Sequence, residues 1–141
     1  MNKKYIKYIN YIVKDIKPPY FKCMGDYYGL KQDECVLVLS KLFNQPVTIK
    51  GYNVYNVYDQ NGNEIYYEYS TGFWEKREYN TNDNLIYREN STGYWRKIEY
   101  DNNGNLIYYE TSNGDWYKYK YDTNGNEIYY EDSDGEIIDR R

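Results

Sequence analysis

Two side chains in this sequence could act as nucleophiles, the thiols of Cys23 and Cys35. A cysteine nucleophile usually needs a neighbouring histidine as its base, and none of the 141 residues is a histidine. The two cysteines also lack the CxxC spacing of redox and zinc sites. This pattern indicates two reduced thiols in a cytosolic setting, with a disulfide between them as the alternative.

Carboxylates could supply a different chemistry. Glu64 and Glu78 could imitate the acid and base of a glycosidase, and Asp59 with Asn61 could offer oxygen ligands to a metal ion. Glutamate recurs at one of these two positions in two later units, and the Asp and Asn positions recur through the array, where they are also the residues that tight turns require. A small repetitive protein is not expected to carry several equivalent catalytic centres. We therefore predict a protein that is not an enzyme and that uses no metal or cofactor.

A repeating unit of 21 residues positions these side chains. Each unit begins with a tyrosine such as Tyr58, has asparagine at the position of Asn63, and has glycine at the position of Gly72. Such a period predicts a repeat architecture in which each unit buries its apolar surface by stacking on its neighbours. The units cover residues 58–78, 79–99, 100–120 and 121–141, after a degenerate half-repeat at 51–57.

Two turns in each unit predict alternating antiparallel strands. Asp59 to Gly62 suits a type I turn that ends in a left-handed residue, and Asp83 replaces that glycine in the second unit. Ser70 to Gly72 suits a three-residue hairpin loop with a bulge at the glycine. Val47 to Val57 is predicted as one further strand. The result is a meander of about nine strands spanning residues 51–141.

The segment 1–50 predicts two amphipathic helices, so the fold class is α+β and mainly β. Apolar residues at helical spacing predict the first helix from Lys3 to Lys17, which ends at Pro18-Pro19. The second runs from about Lys31 to Phe43, with an apolar stripe that includes Val36. Residues 20–29 are expected to form a loop. Without a third helix, a pair of helices docked on the sheet is favoured over a DNA-binding helix-turn-helix.

The loop lengths predict which residues share a face of the sheet. With loops of three and four residues, one face carries a row that alternates Glu with Trp and a row that alternates Tyr with Lys. We call it the ladder face; its rows are Glu68, Trp74, Glu89, Trp95, Glu110, Trp116, Glu131 and Tyr66, Lys76, Tyr87, Lys97, Tyr108, Lys118, Tyr129.

The opposite face, the variable face, differs from unit to unit. Its candidate binding residues are Tyr67, Arg88, Arg96, Tyr109, Tyr117 and Tyr130. The regular ladder face is interpreted as scaffold. The variable face is interpreted either as a recognition surface rich in Tyr and Arg or as a solvated surface.

The run Tyr-Asp-x-Asn-Gly-Asn-Leu/Glu-Ile begins at Tyr58, Tyr100 and Tyr121, while Tyr79-Asn80 departs from it. This run resembles the YD repeats of Rhs-type proteins over about three-fifths of the chain. The resemblance implies a meander of β-hairpins, which in long family members winds into a hollow shell around a toxin. Four units are too few to close such a shell. The resemblance implies no catalytic residues.

Charge is divided unevenly along the chain. Residues 1–57 carry nine Lys and four acidic side chains, a net charge of +5, whereas residues 58–141 carry nine basic and 18 acidic side chains, a net charge of −9. An array of that charge repels phosphate, so direct nucleic-acid binding by the repeats is not expected. The sequence shows neither a signal peptide nor an apolar segment long enough to span a membrane, which predicts a cytoplasmic protein.

These features favour a non-catalytic repeat module that binds a protein partner. Heavy use of Asn, Lys, Ile and Tyr is typical of AT-rich genes and suggests a mobile element. The hypothesis that follows is a phage-type inhibitor of a host defence factor, such as a CRISPR effector, in the host cytoplasm. One alternative is a carbohydrate-binding module that uses exposed Trp and Tyr rings, with Trp74, Trp95 and Trp116 stacking on sugars. Another is a self-assembling structural protein, for example a homodimer.

Overall fold

The computed structural model describes residues 3–51 and 54–141. Three helices come first: α1 (Lys3–Asp15), α2 (Tyr20–Tyr28) and α3 (Gln32–Leu42). Ten antiparallel strands then follow one another in the sheet in the order of the chain. They are β1 (Thr48–Lys50), β2 (Val54–Tyr58), β3 (Glu64–Tyr69), β4 (Trp74–Tyr79), β5 (Leu85–Asn90), β6 (Trp95–Tyr100), β7 (Leu106–Thr111), β8 (Trp116–Tyr121), β9 (Glu127–Asp132) and β10 (Ile137–Asp139). The predicted order of helices followed by a mainly β meander is confirmed.

The chain forms two compact units, Met1–Lys76 and Arg77–Arg141, which we call unit 1 and unit 2. Unit 1 contains the helices and a core in which Ile12, Val38 and Leu39 are fully buried. The two helices expected around residues 3–17 and 31–43 are therefore present. The apolar stripe of α3 differs from expectation, because Val38 is buried and Val36 is only half-buried.

Helix α2 replaces the loop that was predicted for residues 20–29, so the expectation of two helices was wrong. The helix ends at Gly29, whose φ of 61° is left-handed and whose N–H donates to the Gly25 carbonyl at 3.2 Å. At its start, Pro19 supplies no side-chain cap. Because Gly25 lowers the helix propensity and the usual start signal is missing, local sequence gave no reason to expect this helix.

The single strand predicted from Val47 to Val57 is instead two strands, which makes ten in all. Strands β1 and β2 pair with each other, and Ile49 lies opposite Val57. At Gly51, φ is 135° and an added Cβ would lie 1.6 Å from the Val54 carbonyl oxygen. Only glycine fits there, which is why the alternating pattern does not continue as one strand.

The predicted turn chemistry is confirmed. Gly62 has φ of 83° and Asp83, which replaces glycine, has φ of 62°, both in the left-handed region. In the turn of Gly62 a carboxylate holds the backbone, since Oδ1 of Asp59 accepts from the N–H groups of Asn61 and Asn63, both at 2.9 Å. In the turn of Asp83 the amide Oδ1 of Asn80 does the same. Asp59 and Asn61 therefore serve the turn that their spacing predicted, as Asx turns do.

The strand register is as predicted across the loops of the Ser70–Gly72 type, and it differs across the turns of the Asp59–Gly62 type. At the hairpin loops, Glu110 lies opposite Trp116 and Tyr108 opposite Lys118, as expected. At the other turns, Lys97 lies opposite Glu110 and Glu99 opposite Tyr108, two residues away from the predicted pairs.

A bulge causes this difference. The Asp101 N–H donates to the Asn105 carbonyl at 2.9 Å, so only three residues lie between them instead of four in the loop. The register then shifts between Glu99 and Tyr100. A shift of two residues keeps every side chain on its predicted face, because side chains alternate with period two. The continuous alternating rows expected on the ladder face are therefore wrong, although the membership of the face is right.

Candidate functional site

Four ladder residues in unit 1 form what we call the first quartet: Tyr66, Glu68, Trp74 and Lys76. Within it, Tyr66 lies opposite Lys76 and Glu68 lies opposite Trp74. Tyr66 is 0% exposed and Glu68 is 3% exposed. A carboxylate that is so deeply buried needs hydrogen-bond donors to offset the loss of water.

Helix α2 supplies those donors. Glu68 accepts from the Phe21 N–H at Oε1 and from the Lys22 N–H at Oε2, both at 2.9 Å. The Tyr66 hydroxyl donates to Glu68 Oε1 at 2.6 Å and accepts from the Tyr20 N–H at 3.0 Å. Three backbone donors at the start of the helix are thus satisfied by strand β3, and Pro19 has no N–H to satisfy. The negative charge also lies at the positive end of the helix dipole.

Aromatic rings complete the contact between α2 and the strands. The Tyr20 ring lies 4.9 Å from the Tyr66 ring, and Lys76 Nζ lies 5.0 Å from the Tyr20 centroid. The Phe21 ring stacks on Tyr55 of β2 at 4.3 Å with an interplanar angle of 8°. Burial raises the pKa of Tyr66 far above its ordinary value, and the Glu68 carboxylate adds to the effect. The Tyr66 hydroxyl therefore stays protonated and keeps its hydrogen bond to Glu68.

The same four residue types recur in unit 2. The second quartet is Tyr87, Glu89, Trp95 and Lys97, and the third is Tyr108, Glu110, Trp116 and Lys118. Their cross-strand pairs match those of the first quartet. In both, the tyrosine hydroxyl donates to the glutamate at 3.3 Å, and the lysine Nζ lies over the tryptophan ring at 5.0 Å and 4.9 Å. The fourth unit keeps Tyr129 and Glu131 but has Ile137 and Asp139 in the remaining positions.

Burial and hydrogen bonding distinguish these quartets. The tyrosines and glutamates of the second and third quartets are half-buried, and their lysines are exposed. Glu110 accepts one hydrogen bond from the described residues, from Tyr108, whereas Glu68 accepts three. The flanking strands also differ: Val57 and Tyr55 lie beside Tyr66 and Glu68, but Glu99 and Lys97 lie beside Tyr108 and Glu110. The aromatic helix α2 thus lies against an apolar flank, whereas the third quartet has a charged flank.

The variable face in unit 2 holds a packed series of rings. The Arg96 guanidinium lies 5.5 Å from the Tyr109 centroid, Tyr109 lies 5.5 Å from Tyr117, and Tyr117 lies 6.2 Å from Tyr130. Arg88, also in unit 2, lies over the Tyr94 ring at 5.8 Å. The five predicted binding residues of unit 2 are all half-buried on this face. The sixth, Tyr67, belongs to unit 1.

Tyr67 has surroundings of its own in unit 1. Its ring lies 5.3 Å from Tyr69 and 6.2 Å from Phe73, and it is half-buried. It therefore belongs to a separate aromatic cluster in unit 1.

A shallow cavity of about 310 Å³ adjoins the ring series in unit 2. Tyr109 and Tyr117 line it, together with Asp115 and Thr111. The Thr111 Oγ1 is buried and has no hydrogen-bond partner among the described residues. The cavity thus combines ring faces with polar groups, the usual composition of a site for a small polar ligand.

The candidate catalytic and metal-binding groups have other surroundings. Burial raises the pKa of Cys35 to about 11, opposite to the shift that activates a thiolate, and Glu34 and Asp33 add to it. Both cysteines are free thiols. Glu64 accepts from Asn56 at 2.7 Å within unit 1. Among the described residues, no three His, Cys, Asp or Glu side chains gather in a way that could hold a metal ion.

The chain matches no protein-family model, and no curated protein is significantly similar to it. The YD-repeat resemblance therefore stays a prediction. Over the described residues, none of the helices has the length and apolar character needed to cross a membrane.

Sequence reasoning missed the role of Glu68 because the same glutamate recurs in every unit. One signal was available. The residues one period before Lys76 and Glu78 are Tyr55 and Val57, whereas the later units have Lys97 and Glu99 at those positions. An apolar pair at the flank of the first quartet alone indicates that something apolar covers that quartet.

Proposed function

We propose that this protein is a non-catalytic repeat module that binds a protein partner through the variable face of unit 2. The observation that carries the proposal is the contact series from Arg96 through Tyr109 and Tyr117 to Tyr130. Tyr and Arg dominate the energetics of protein interfaces. Because each ring already packs on the next, little side-chain entropy remains to be lost on binding.

The charge of the repeats narrows the class of partner. A net charge of −9 over residues 58–141 favours a basic partner surface, such as one that normally holds nucleic acid. A host defence factor that binds nucleic acid, for example a CRISPR effector, has this kind of surface. Together with the composition typical of AT-rich genes, this supports the finer proposal of a mobile-element inhibitor that acts in the host cytoplasm.

Affinity capture from bacterial lysate, with mass spectrometry as readout, tests the proposal. The tagged full-length chain is compared with the double variant Tyr109→Ala/Tyr117→Ala, which removes the centre of the ring series. Tyr129→Ala is the matched control, because it removes a tyrosine from the ladder face. We expect a specific protein to be captured by the wild type and the control and lost by the double variant. Equal capture by all three would reject the variable face as the binding surface.

The cavity in unit 2 supports a second candidate, carbohydrate binding. Tyr109, Tyr117 and Asp115 could stack on and hydrogen-bond a sugar there. The tryptophans are less suited than expected, since a lysine already covers one face of Trp95 and of Trp116. Calorimetric titration with oligosaccharides tests this candidate: saturable heat that Tyr117→Ala abolishes supports it, and flat titrations reject it.

A further inference from the structure

We propose that the second and third quartets in unit 2 are receptor sites for the N-terminus of an α-helix of a partner protein, whose first residue is aromatic and whose second is acidic. This surface is the ladder face, so the inference goes beyond the partner-binding function assigned to the variable face. It rests on the first quartet, which binds a helix N-terminus within this chain.

The first quartet shows what these four residue types can do together. Its glutamate caps two backbone N–H groups, its tyrosine hydroxyl accepts a third, and its lysine covers the ring of the first helical residue, Tyr20. Each of these contacts is made by a residue type that the second and third quartets retain at equivalent positions.

The third quartet has the unused acceptor capacity that such a helix requires. Among the described residues Glu110 accepts one hydrogen bond, from Tyr108 at 3.3 Å, and an ionised carboxylate has room for about three more. With two further N–H donors from the first turn of a helix, Glu110 would accept three hydrogen bonds, as Glu68 does. The helix dipole would add favourable charge, because it places partial positive charge at the carboxylate.

The quartets also specify the first two side chains of the helix. An aromatic first residue would pack on the Tyr108 ring and below Lys118, as Tyr20 does on Tyr66 and below Lys76. The second residue meets a different neighbour. Where Phe21 stacks on Tyr55 in unit 1, the residue beside Glu110 is the exposed Lys97, which favours a carboxylate.

A peptide taken from α2 provides the probe. It comprises residues 17–30 with Cys23 replaced by serine and a lactam bridge to hold it helical, because short peptides are weakly helical in water. One version keeps Phe21 and the other carries Phe21→Glu. Neither contains tryptophan, so the indole N–H signals in NMR spectra of the full-length chain report only on the protein.

The chain contains its own control, since its three tryptophans belong to three quartets. With the Phe21→Glu peptide added up to about 1 mM, a range that detects weak binding, we expect the indole signals of Trp95 and Trp116 to shift. The signal of Trp74 should stay in place, because α2 fills the first quartet. The unaltered Phe21 peptide should bind more weakly.

Two variants test whether the quartets bind the peptide. Glu89→Gln/Glu110→Gln should weaken binding roughly tenfold, the equivalent of one lost charge-assisted hydrogen bond. Glu127→Gln/Asp139→Asn, which removes two carboxylates from the fourth unit and so lies outside both quartets, should leave peptide binding unchanged. A peptide with N-methyl groups at the positions of Phe21 and Lys22 lacks the two capping donors and should not bind.

The absence of shifts at Trp95 and Trp116, or equal binding of the N-methylated peptide, would overturn the proposal. These results are separable from those for the variable face. Capture of a partner that depends on Tyr109 and Tyr117 can succeed when peptide binding fails, and the reverse also holds.

Discussion

The same four residue types have different environments in the two units. In unit 1, Tyr66 and Glu68 are buried and hold the start of α2. In unit 2, Tyr108 and Glu110 are half-buried, and within the described part of the chain the glutamate accepts one hydrogen bond, from Tyr108 of its own strand. The difference originates in the neighbouring strand, which is apolar beside the first quartet and charged beside the third. Each of the first three repeats thus supplies the same Tyr, Glu, Trp and Lys quartet. We interpret the two residues on the neighbouring strand as the reason why a helix of the same chain covers the first quartet.

The largest expected effect comes from removing the capping carboxylate. Glu68→Ala leaves two N–H groups of α2 buried without an acceptor, which should lower the free energy of unfolding of unit 1 by about 3 kcal/mol. The measurement is urea denaturation in a Trp95→Phe/Trp116→Phe background, where the fluorescence of Trp74 reports on unit 1. Glu110→Ala, followed through Trp116 with the other two tryptophans replaced, should cost less than about 0.5 kcal/mol. Equal costs would remove the distinction between the units.

A smaller effect is expected from the hydroxyl of Tyr66, which both donates and accepts. Tyr66→Phe should cost about 1.5 kcal/mol, since it leaves the Tyr20 N–H without its acceptor and Glu68 without one donor. Tyr108→Phe removes a single longer hydrogen bond in a half-buried site and should cost a few tenths of a kcal/mol. The same two fluorescence backgrounds provide the measurement, and a larger loss for Tyr108→Phe would reverse the comparison.

High pH should reduce the stability difference between the wild type and Tyr66→Phe. Burial raises the pKa of Tyr66 in the folded chain above its ordinary value of 10.0, so the folded state binds the proton more tightly than the unfolded state. That contribution is fully present below pH 10 and declines as pH rises above it. At pH 11 the stability gap between wild type and Tyr66→Phe should therefore shrink by about 1.4 kcal/mol. Urea titrations from neutral pH to pH 11 test this, and a constant gap would mean that Tyr66 titrates normally.

The smallest expected effect comes from exchanging a flank. Tyr55→Lys gives the first quartet the neighbour that the third quartet has and removes the ring that stacks on Phe21. We expect a loss of about 1 kcal/mol in unit 1, typical of an aromatic pair. Tyr55→Phe keeps the ring and serves as the control. If Tyr55→Lys had no effect, the flank would not explain why α2 covers only the first quartet.

Local features of the fold could be predicted because local chemistry determines them. Gly62 and Asp83 take the left-handed conformation that their turns require, and the period of two assigns side chains to faces without knowledge of the register. The bulge between Glu99 and Tyr100 could not be predicted in this way. It changes the pairing by two residues and leaves the hydrophobic pattern unchanged.

Helix α2 and its contact with the first quartet could not be predicted, because they depend on contacts between residues that are distant in the sequence. The Phe21 N–H and its acceptor on Glu68 are 47 residues apart, and Pro19 gives no sign of a helix start. The ring series on the variable face was expected as a surface. Its continuous packing could not be predicted, since it depends on the orientation of the Tyr109, Tyr117 and Tyr130 side chains.

Amide hydrogen exchange at Phe21 and Lys22 is the most direct test of the claim that a quartet binds a helix N-terminus. These N–H groups precede the first possible intrahelical hydrogen bond, so they exchange rapidly in an uncapped helix. The account predicts slow exchange at both in the wild-type chain and rapid exchange in Glu68→Ala, which has no side-chain acceptor, with the exchange of unit 2 amides unchanged. Rapid exchange at both positions in the wild type would contradict it.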